Sequence, residues 1–344
     1  MSMSSGVSRT QSHSTREGKS PIAVLGAGSW GTALALLASS KGVPVYLWAR
    51  RAEHALAMQL ERQNREYLPG VAFPESLYPT ADPEEALHKA QFAVVAVPSK
   101  ALRETLAQLP RASAYVSVTK GLQFTDQHLL RMSQVIEAVT GVSQVAVLSG
   151  PNLAEEIARF LPAAAVVAAQ DPALAQQVQR VFSGKSFRVY TSTDRVGVEL
   201  GGALKNVIAL AAGMVDGLRL GDNAKAALIT RGLREITRFG VAQGAQETTF
   251  MGLSGLGDLI ATASSPYSRN RTAGEQIVKG LTLAQLEAQK TVVEGIYTVK
   301  ALHAWDRATG ADLPITEAVY RVIYQGADPM QELIRLMSRE AKPE

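Results

Sequence analysis

The chain has 344 residues, of which 46% are apolar and 19% are charged. This length exceeds the roughly 250 to 300 residues at which single cores stop growing, so we expect a globular protein with two domains. Its 35 basic and 31 acidic residues give a net charge of only +4, which argues against a nucleic-acid partner and suits a small anionic substrate. The absence of cysteine excludes disulfides, thiolate metal sites and cysteine nucleophiles.

The first 20 residues, MSMSSGVSRTQSHSTREGKS, are rich in serine and lack an apolar segment. This pattern excludes a secretory signal and predicts a disordered tail over 1–20, while a transit peptide with a similar composition is the alternative. No window approaches the roughly 18 uninterrupted apolar residues that a membrane-spanning helix needs. We therefore expect a cytoplasmic protein without a membrane span.

From residue 20 to about residue 190, short β-rich runs alternate with helical patterns. The β-rich runs are PIAVLG, VPVYLW, FAVVAVP, SAYVSVT and QVAVLSG, and the runs AAAVVAA and SFRVYTS extend the series. Helical patterns over 29–41 and 53–63 follow the first two runs. Nearly continuous apolar strands that alternate with helices indicate a mostly parallel sheet with both faces covered. Residues 21–193 are therefore predicted to form a doubly wound α/β domain.

From about Asp194 onward, helical periodicity replaces the strand pattern. Small and apolar residues recur at helical spacing, and clusters of glycine and proline interrupt them. The predicted helices cover residues 196–220, 224–244, 283–289, 295–309 and 315–325. Residues 194–340 are therefore predicted to form an all-helical second domain.

Three glycines follow the first predicted strand in VLGAGSWGTALALL, at Gly26, Gly28 and Gly31. They fit the G-x-G-x-x-G spacing of a dinucleotide-binding turn. There the first glycine permits the turn, the second lets a pyrophosphate approach the backbone, and the third allows close helix–strand packing. We predict a dinucleotide cofactor here, and a tight connection with a purely structural role is the alternative.

The choice between cofactors depends on the end of the second strand, where NAD enzymes of this type carry a carboxylate for the ribose hydroxyls. Here the strand ends in YLWARR, so Arg50 and Arg51 occupy that place. Two guanidinium groups suit the 2′-phosphate of NADP, which favours NADP(H) over NAD(H). Two solvated loop arginines are the alternative interpretation.

Two lysines lie in unusual sequence surroundings. Lys120 directly follows the strand AYVSVT, at the sheet edge where doubly wound folds bind ligands; the alternative is an exposed loop lysine. Lys205 lies within VELGGALKNVIALAAGMV, where burial would lower its pKa and suit it to proton transfer; the alternative is a lysine that reaches the surface. Glu199 and Asn206 are near enough on or beside this helix to orient Lys205 or its partner.

A glycine-rich segment and a polar cluster follow in LSGLGDLIATASSPYSRNRTAGE. Asp258 comes directly after the glycines and can bond a substrate hydroxyl or steer Lys205. Ser268, Arg269 and Asn270 stand at the start of a predicted helix, where side chains and backbone N–H groups can bind one phosphate. The same residues would also serve as an ordinary helix cap.

Together, these motifs resemble those of the bacterial-type NAD(P)-dependent sn-glycerol-3-phosphate dehydrogenases. The resemblance runs from about residue 21 to residue 333 and rests on GAGSWGTALA, NREYLPG, AVPS, SVTKGL, LSGPNLAEE, GGALKNVIALAAG, GLGDL, SRN and VVEG, in this order. It implies a Rossmann domain followed by a helical domain like the C-terminal domain of 6-phosphogluconate dehydrogenase. It also implies a homodimer that interconverts dihydroxyacetone phosphate and sn-glycerol 3-phosphate for phospholipid synthesis, and we expect no metal.

The resemblance further assigns residues to the site. Beside the three glycines, those implied at the cofactor are Ser29, Trp30, Arg50, Arg51, Lys120, Ala154, Arg269, Val292 and Glu294. Those implied at the substrate are Lys120, Gly150, Asn152, Lys205, Asp258, Ser268, Arg269 and Asn270. Lys205 is implied as the proton donor or acceptor, with Lys120 and Asp258 as its catalytic partners.

The chain departs from the family pattern at two positions. Asn152 in GPNLAEE stands where serine or threonine is usual in the family, and Ala263 stands where cysteine is common. Two rival functions also remain open at this point. A dehydrogenase with the same plan could act on a 3-hydroxy acid without needing the phosphate cluster, and a redox-sensing regulator could bind NADP(H) without turning it over.

Overall fold

The computed structural model describes residues 19–289 and 292–340, so nearly all of the predicted tail lies outside the described residues. Twelve strands occur in this part of the chain. They are β1 (Ile22–Leu25), β2 (Val45–Trp48), β3 (Gln63–Asn64), β4 (Leu68–Ala72), β5 (Leu77–Thr80), β6 (Ala93–Val95), β7 (Tyr115–Ser117), β8 (Leu122–Thr125), β9 (His128–Arg131), β10 (Val145–Ser149), β11 (Ala163–Ala169) and β12 (Phe187–Ser192).

Eight of these strands form one sheet in the order β12-β11-β10-β7-β6-β1-β2-β5. Every pair of neighbours is parallel except β10 and β11, which are antiparallel. The order reverses at β1, where the chain runs to one side through β2 and β5 and to the other through β6 and β7. Such a switch point is where doubly wound sheets bind their ligands. The predicted mostly parallel α/β sheet is confirmed.

The helices cover both faces of the sheet and make up the second half of the chain. They are α1 (Ser29–Ser39), α2 (Ala52–Glu61), α3 (Pro83–Leu87), α4 (Ser99–Ala107), α5 (Met132–Thr140), α6 (Ala154–Ala158), α7 (Pro172–Phe182), α8 (Arg195–Gly217), α9 (Gly221–Ala242), α10 (Glu247–Phe250), α11 (Asp258–Ser264), α12 (Arg269–Val278), α13 (Leu283–Glu287), α14 (Glu294–Thr309), α15 (Pro314–Gln325) and α16 (Pro329–Met337). A π-helical turn, Leu253–Gly257, directly precedes α11. The predicted helical second half is confirmed.

The change from sheet to helices falls between Ser192, where β12 ends, and Arg195, where α8 begins. Asp194 caps α8, because its carboxylate accepts the N–H of Gly197 at 2.8 Å. The same carboxylate accepts the N–H of Gln246 and the hydroxyl of Thr249, at 2.9 and 2.7 Å. One buried side chain thereby fixes both the start of α8 and the loop before α10.

The sequence patterns missed three β features. Strand β5 adds to the sheet beside β2, and β3–β4 and β8–β9 form separate two-stranded antiparallel pairs. Leu122 of β8 is 2% exposed and belongs to the apolar core of the helical half, so this hairpin leaves the sheet domain and packs on the helices. These strands are too short for their own alternation to reveal them.

Helix α8 is the central element of the helical half. It is long and apolar enough to cross a membrane by length and composition, but its most apolar window is entirely buried inside the protein. A buried core helix passes the same test. Helix α8 packs against α9, α11, α12 and α14, and it also contacts β10 of the sheet. Residues on α8 can therefore reach both halves of the molecule.

Candidate active site

The glycine turn, Gly26 to Gly31, connects β1 to α1 and gives each glycine a different role. Gly26 has φ +115°, and a Cβ added there would lie 2.7 Å from the carbonyl oxygen of Ala96. A Cβ on Gly31 would lie 2.0 Å from the carbonyl oxygen of Gly26, so helix and turn touch. A Cβ on Gly28 would meet no atom of the described residues within 4 Å. The turn is thus tight at both ends and open in the middle, where a pyrophosphate approaches the backbone of such a turn.

The two residues inside the turn differ in what they can offer a ligand. Ser29 begins α1, and its hydroxyl donates to the carbonyl oxygen of Tyr67 at 2.7 Å. Trp30 packs partly buried against the sheet core, and its indole N–H is buried without a hydrogen-bond partner in the described part of the chain. Buried polar groups without partners are rare in proteins and call for a physical reason. The open space at Gly28 and this free donor fit a dinucleotide.

Arg50 and Arg51 lie just beyond β2, at the place that the sequence indicated, and both are exposed. Arg51 Nη2 lies 2.5 Å from Glu66 Oε2, and its Nε lies 4.0 Å from Glu53 Oε1. The hydrogen bond that Arg51 donates to Glu66 raises the pKa of the Arg51 guanidinium, although burial acts in the opposite direction. A 2′-phosphate at this place would compete with Glu66 for Arg51.

A lysine–aspartate centre, formed by Lys120, Asp258 and Lys205, lies at the carboxyl edge of the sheet. Lys120 Nζ lies 2.6 Å from Asp258 Oδ2 and donates to the carbonyl oxygen of Gly150 at 3.0 Å. Lys205 Nζ lies 2.7 Å from Asp258 Oδ1. The Asp258 side chain is only 2% exposed, and those of the two lysines are 16% and 7% exposed. Two cations therefore share one buried carboxylate. Lys120 is not an exposed loop lysine, and Lys205 does not reach the surface, so neither alternative interpretation holds.

Burial has a direct consequence for the chemistry of Lys205. It lowers the pKa of this amine from 10.5 to about 8; the Asp258 carboxylate opposes the shift, and the nearby Lys120 cation adds to it. An amine with a pKa near 8 has both protonation states available close to neutral pH. General acid–base catalysis works best with such a group.

Four helices hold this centre in position. Asp258 is the first residue of α11 and follows the π-helical turn, a distortion that often accompanies functional sites. Asn206 of α8 donates to the carbonyl oxygen of Lys120 at 3.0 Å and accepts from the amide of Asn270 at 2.9 Å. The side-chain oxygen of Asn270 in turn accepts the N–H of Gly295 at 2.9 Å. This chain of bonds ties the loop after β7 to α8, α12 and α14.

Glu199 does not orient Lys205, and that expectation is wrong. Its carboxylate accepts the N–H and the hydroxyl of Ser133 at 2.7 and 2.6 Å and lies 3.3 Å from Arg131 Nε. Glu199 therefore anchors α8 to the start of α5 in the sheet domain. Burial raises the pKa of this carboxyl, while Arg131 and Ser133 favour the charged form.

The cluster at the start of α12 is only partly available to a substrate. Ser268 is the N-cap, and its hydroxyl accepts the N–H of Arg271 at 3.2 Å. The Asn270 amide is occupied by the two bonds to Asn206 and Gly295. Arg269 is exposed, and its guanidinium makes no hydrogen bond or ion pair to the residues that the structure describes. Ser268 therefore serves as the helix cap, while the neighbouring Arg269 is the member of the cluster that remains available to a phosphate.

The remaining predicted residues lie on the loop after β10, at the start of α6 and just before α14. Gly150 has φ +152°, and Asn152 donates to the carbonyl oxygen of Ala164 at 3.0 Å while its own oxygen is buried without a partner in the described part. Ala154 begins α6 and is buried. Val292 is partly buried beside α14.

Glu294 is held by the start of α4. Its carboxylate accepts the N–H of Ser99 at 3.0 Å and also bonds the Ser99 hydroxyl. Burial raises the pKa of the Glu294 carboxyl, against the effect of these bonds from Ser99. Because Ser99 belongs to the sheet domain and Glu294 begins α14, the pair bridges the two halves of the chain across the cleft.

Sequence reasoning missed three residues that act on the site. Thr262 bonds Lys205 Nζ through its hydroxyl and lies 3.2 Å from Asp258 Oδ1. Ser99 donates a hydrogen bond to Glu294, and Glu66 accepts one from Arg51. Thr262 carried a positional signal, because it follows Asp258 by four residues and therefore shares its helix face. Ser99 and Glu66 stood within the motifs AVPS and NREYLPG, but no role was assigned to them.

Models of one protein family match both halves of the chain. The N-terminal model of NAD-dependent glycerol-3-phosphate dehydrogenase matches residues 21–175, and the C-terminal model matches residues 194–334. The chain belongs to the NAD-dependent glycerol-3-phosphate dehydrogenase family. Membership in this family makes it an oxidoreductase that uses NAD or NADP.

Curated relatives share this family over nearly their whole length. A glycerol-3-phosphate dehydrogenase [NAD(P)+] of Thermus thermophilus is 62% identical over 323 residues, which cover 94% of this chain and 99% of that protein. A glycerol-3-phosphate dehydrogenase [NAD(P)+] of Deinococcus radiodurans is 54% identical over 325 residues, which cover 94% of this chain and 97% of that protein. The resemblance inferred from the motifs is therefore confirmed.

Solved structures agree with the fold. The crystal structure of glycerol-3-phosphate dehydrogenase from Coxiella burnetii superposes with a TM-score of 0.88 at 38% identity, covering 93% of this chain and 99% of that one. A ternary structure of D-mandelate dehydrogenase gives a TM-score of 0.60 at 14% identity over 89% of this chain and 97% of that one, which shows a shared fold alone. The two-domain plan is thus common to family members and to more distant dehydrogenases.

Proposed function

We propose that this chain catalyses the reversible reduction of dihydroxyacetone phosphate to sn-glycerol 3-phosphate, with NADPH preferred over NADH. The observation that carries the proposal is the lysine–aspartate centre, in which a buried lysine with a pKa of about 8 shares Asp258 with a second lysine. A ketone reduction needs a proton donor and positive charge at the developing oxyanion. This centre offers both beside the sheet edge that carries the glycine turn.

The cofactor would be held by residues of the sheet domain and its facing loops. The glycine turn would hold the pyrophosphate with the start of α1, and Arg50 and Arg51 would bind the 2′-phosphate. The Trp30 indole N–H, which has no partner among the described residues, would donate to the cofactor. Ala154, Arg269, Val292 and Glu294 complete the proposed set on the other side of the cleft. When bound, the nicotinamide cofactor supplies hydride to the substrate ketone carbon.

The chain's own residues would then handle the proton and the charge. In reduction, the Lys205 ammonium donates a proton to the forming alkoxide; in oxidation, the neutral amine accepts it. Lys120 adds positive potential at the developing oxyanion. Asp258 holds both lysines in place through short ion pairs. The substrate hydroxyls would contact the Gly150–Asn152 loop, where the Asn152 oxygen has no partner in the described residues.

Arg269 would bind the substrate phosphate. Its guanidinium is exposed and makes no bond to described residues, and it lies close enough to Lys205 to lower the pKa of that amine. Ser268 and Asn270 would hold the start of α12 in place, since capping and the bond to Asn206 already occupy their side chains. Binding energy from the phosphate would orient the carbonyl at the centre.

An assay of NADPH oxidation tests this proposal directly. We expect turnover with dihydroxyacetone phosphate and a large loss of kcat/KM with dihydroxyacetone, which lacks the phosphate. Equal turnover of both ketones, or turnover of 3-hydroxy acids, would favour the rival dehydrogenase. Tight NADPH binding without turnover of any of these compounds would favour the redox-sensing regulator.

A homodimer and a cytoplasmic location belong to the same proposal. The motif resemblance supports the homodimer. Light scattering of the purified protein tests the first, since a mass of one chain at micromolar concentration contradicts it. Fractionation of cells that express the native chain tests the second.

A further inference from the structure

A cavity, which we call the rear pocket, lies between β11, β12, α8 and the π-helical turn. It has a volume of about 420 Å³ and is lined by Ala164, Val166, Tyr190, Val198, Leu253 and Ser254, among others. Its floor is the face of β11 and β12 that points away from the main sheet core, and α8 and the π-helical turn form its sides. This volume is in the range of small-molecule sites. None of the lysine–aspartate centre, the glycine turn or Arg269 lines it.

Two walls of the rear pocket are the outer sides of active-site segments. The carbonyl oxygen of Ala164 accepts from the Asn152 amide at 3.0 Å and lies 2.9 Å from a Cβ built on Gly150. Leu253 and Ser254 begin the π-helical turn, and Asp258 directly follows the end of this turn. A ligand in the pocket would therefore touch the two segments that hold the proposed substrate loop and the shared carboxylate.

The pocket combines an apolar interior with a hydroxyl that lacks a partner. Val166, Val198 and Leu253 supply apolar surface without any charge. Ser254 is 1% exposed, and its hydroxyl has no hydrogen-bond partner among residues 19–289 and 292–340. Because buried hydroxyl groups are normally bonded, this one is suited to a ligand atom or an ordered water.

The Arg188 cation does not line the pocket itself but lies next to two residues that do, Ala164 and Tyr190. Arg188 and Tyr190 project from the same face of the edge strand β12, and the Arg188 guanidinium carbon lies 5.1 Å from the Tyr190 ring centre. In register, Arg188 lies opposite Ala164, and Tyr190 opposite Val166. Arg188 is exposed and forms no ion pair within the described part of the chain. A free guanidinium beside an apolar pocket selects an anion with an apolar body.

We propose that the rear pocket binds a small amphipathic carboxylate and that its occupancy changes the rate of the reaction. The apolar body fills the space between Val166, Val198 and Leu253, and the carboxylate pairs with Arg188 next to the pocket. The bound molecule presses on the π-helical turn and thereby alters how Asp258 holds Lys120 and Lys205. The site is separate from the cofactor cleft, so the effector does not compete with NADPH.

Octanoate is the probe, and calorimetry with the full chain measures its binding. We expect one octanoate per chain for the wild type and at least fivefold weaker binding of the uncharged analogue 1-octanol. Arg188→Gln should weaken octanoate binding at least fivefold. Arg103→Gln, which changes an exposed arginine on α4, is the matched control and should bind like the wild type. Equal binding of octanoate and octanol, or no saturable binding at millimolar octanoate, overturns the proposal.

A second variant places a side chain inside the pocket. Val166→Phe should remove octanoate binding while kcat without octanoate stays within twofold of the wild type. If this variant does not fold, as judged by circular dichroism, the Arg188→Gln measurement decides the question alone. Octanoate binding that survives in folded Val166→Phe overturns the assignment of the site. A change of solution mass in this variant would mark the pocket as a contact between copies and also overturns it.

The kinetic measurement tests the link to the reaction and rests on the proposed function. Saturating octanoate should change kcat with dihydroxyacetone phosphate at least threefold in the wild type and in Arg103→Gln, and not in Val166→Phe. Octanoate binding without any change of kcat overturns the effector role. If untreated wild type shows no turnover while octanoate binding follows the expected pattern, the proposed function has failed and the binding site has not.

Discussion

The glycine turn and the lysine–aspartate centre are built in opposite ways. In the turn, tight backbone contacts at Gly26 and Gly31 flank a position, Gly28, whose surroundings are open. In the centre, almost every polar atom already has a partner, and the charges of Lys120, Asp258 and Lys205 are joined in one network. The first region recognises a ligand by the space that it leaves. The second acts through groups whose protonation the protein has already set.

The two regions also differ in how the chain assembles them. All of the turn lies within six residues between one strand and the next helix. In the centre, Asp258 meets Lys120 across 138 residues of sequence and Lys205 across 53. A local turn can form as soon as its strand and helix do, whereas the centre requires both halves of the molecule to be packed. Catalytic geometry is therefore more sensitive to changes at a distance than cofactor binding is.

Removal of the Lys205 amine is expected to have the largest effect. Lys205→Ala should lower kcat by roughly 10²-fold or more, the scale of a lost general acid, while NADPH affinity stays nearly unchanged. Stopped-flow single turnovers and fluorescence titration with NADPH measure the two quantities. Lys279→Ala is the control, because Lys279 is an exposed lysine paired with Glu275 on α12. A kcat within twofold of wild type would remove Lys205 from the mechanism.

The pH dependence should follow the protonation of Lys205. Its pKa of about 8 means that the ammonium dominates below pH 8 and the amine above it. The kcat/KM for reduction should therefore fall as the pH rises above 8, by up to about tenfold per unit, and that for oxidation should rise up to pH 8 and then level off. Initial rates in both directions across this range measure it. A reduction rate that increases through pH 8 would contradict the assignment of Lys205 as the acid.

Alanine substitutions at Gly28 and Gly31 separate ligand space from packing. Gly28→Ala should leave the free energy of unfolding within about 0.5 kcal/mol of wild type, since its Cβ would meet no described atom within 4 Å. It should weaken NADPH binding about tenfold, because the methyl group enters the space that the pyrophosphate needs.

Gly31→Ala should have the opposite pattern, with a large loss of stability and a smaller effect on NADPH binding. Its Cβ would lie 2.0 Å from the Gly26 carbonyl oxygen, so α1 must move, at a cost of about 1 to 3 kcal/mol or more. Urea unfolding and NADPH titration of both variants distinguish the two effects. Equal loss of stability in the two variants would show that the turn has no preformed ligand space.

Sequence patterns predicted the regions of the fold with strong periodicity or a local motif. The parallel strands, the glycine turn and the burial of Lys205 all depend on residues that are close in sequence. The small hairpin β8–β9 could not be foreseen, because its strands are short and its Leu122 is buried against distant helices. In the same way, Glu199 binds Ser133 of a different domain, 66 residues away, although the helix places it near Lys205.

The candidate site shows the same limit at the side-chain level. The sequence indicated Ser268, Arg269 and Asn270 as equals, but capping and the bond to Asn206 occupy two of the three side chains. Only tertiary contacts decide which donor remains free. The same holds for Arg51, whose partner Glu66 lies 15 residues further along the chain, beyond α2.

The arginines beyond β2 give the smallest expected effect, because both are exposed and Arg51 already has an acidic partner. Replacing Arg50 and Arg51 together by alanine should weaken NADPH binding about fivefold and change NADH binding less than twofold, since only NADPH carries the 2′-phosphate. Glu66→Gln is the matched variant. It releases Arg51 from the 2.5 Å ion pair, so NADPH should bind as tightly as in the wild type or up to about threefold more tightly. Equal losses of NADPH and NADH affinity in the double variant would show that these arginines are solvated loop residues. Recognition of the cofactor by the sheet domain would then depend on the glycine turn alone.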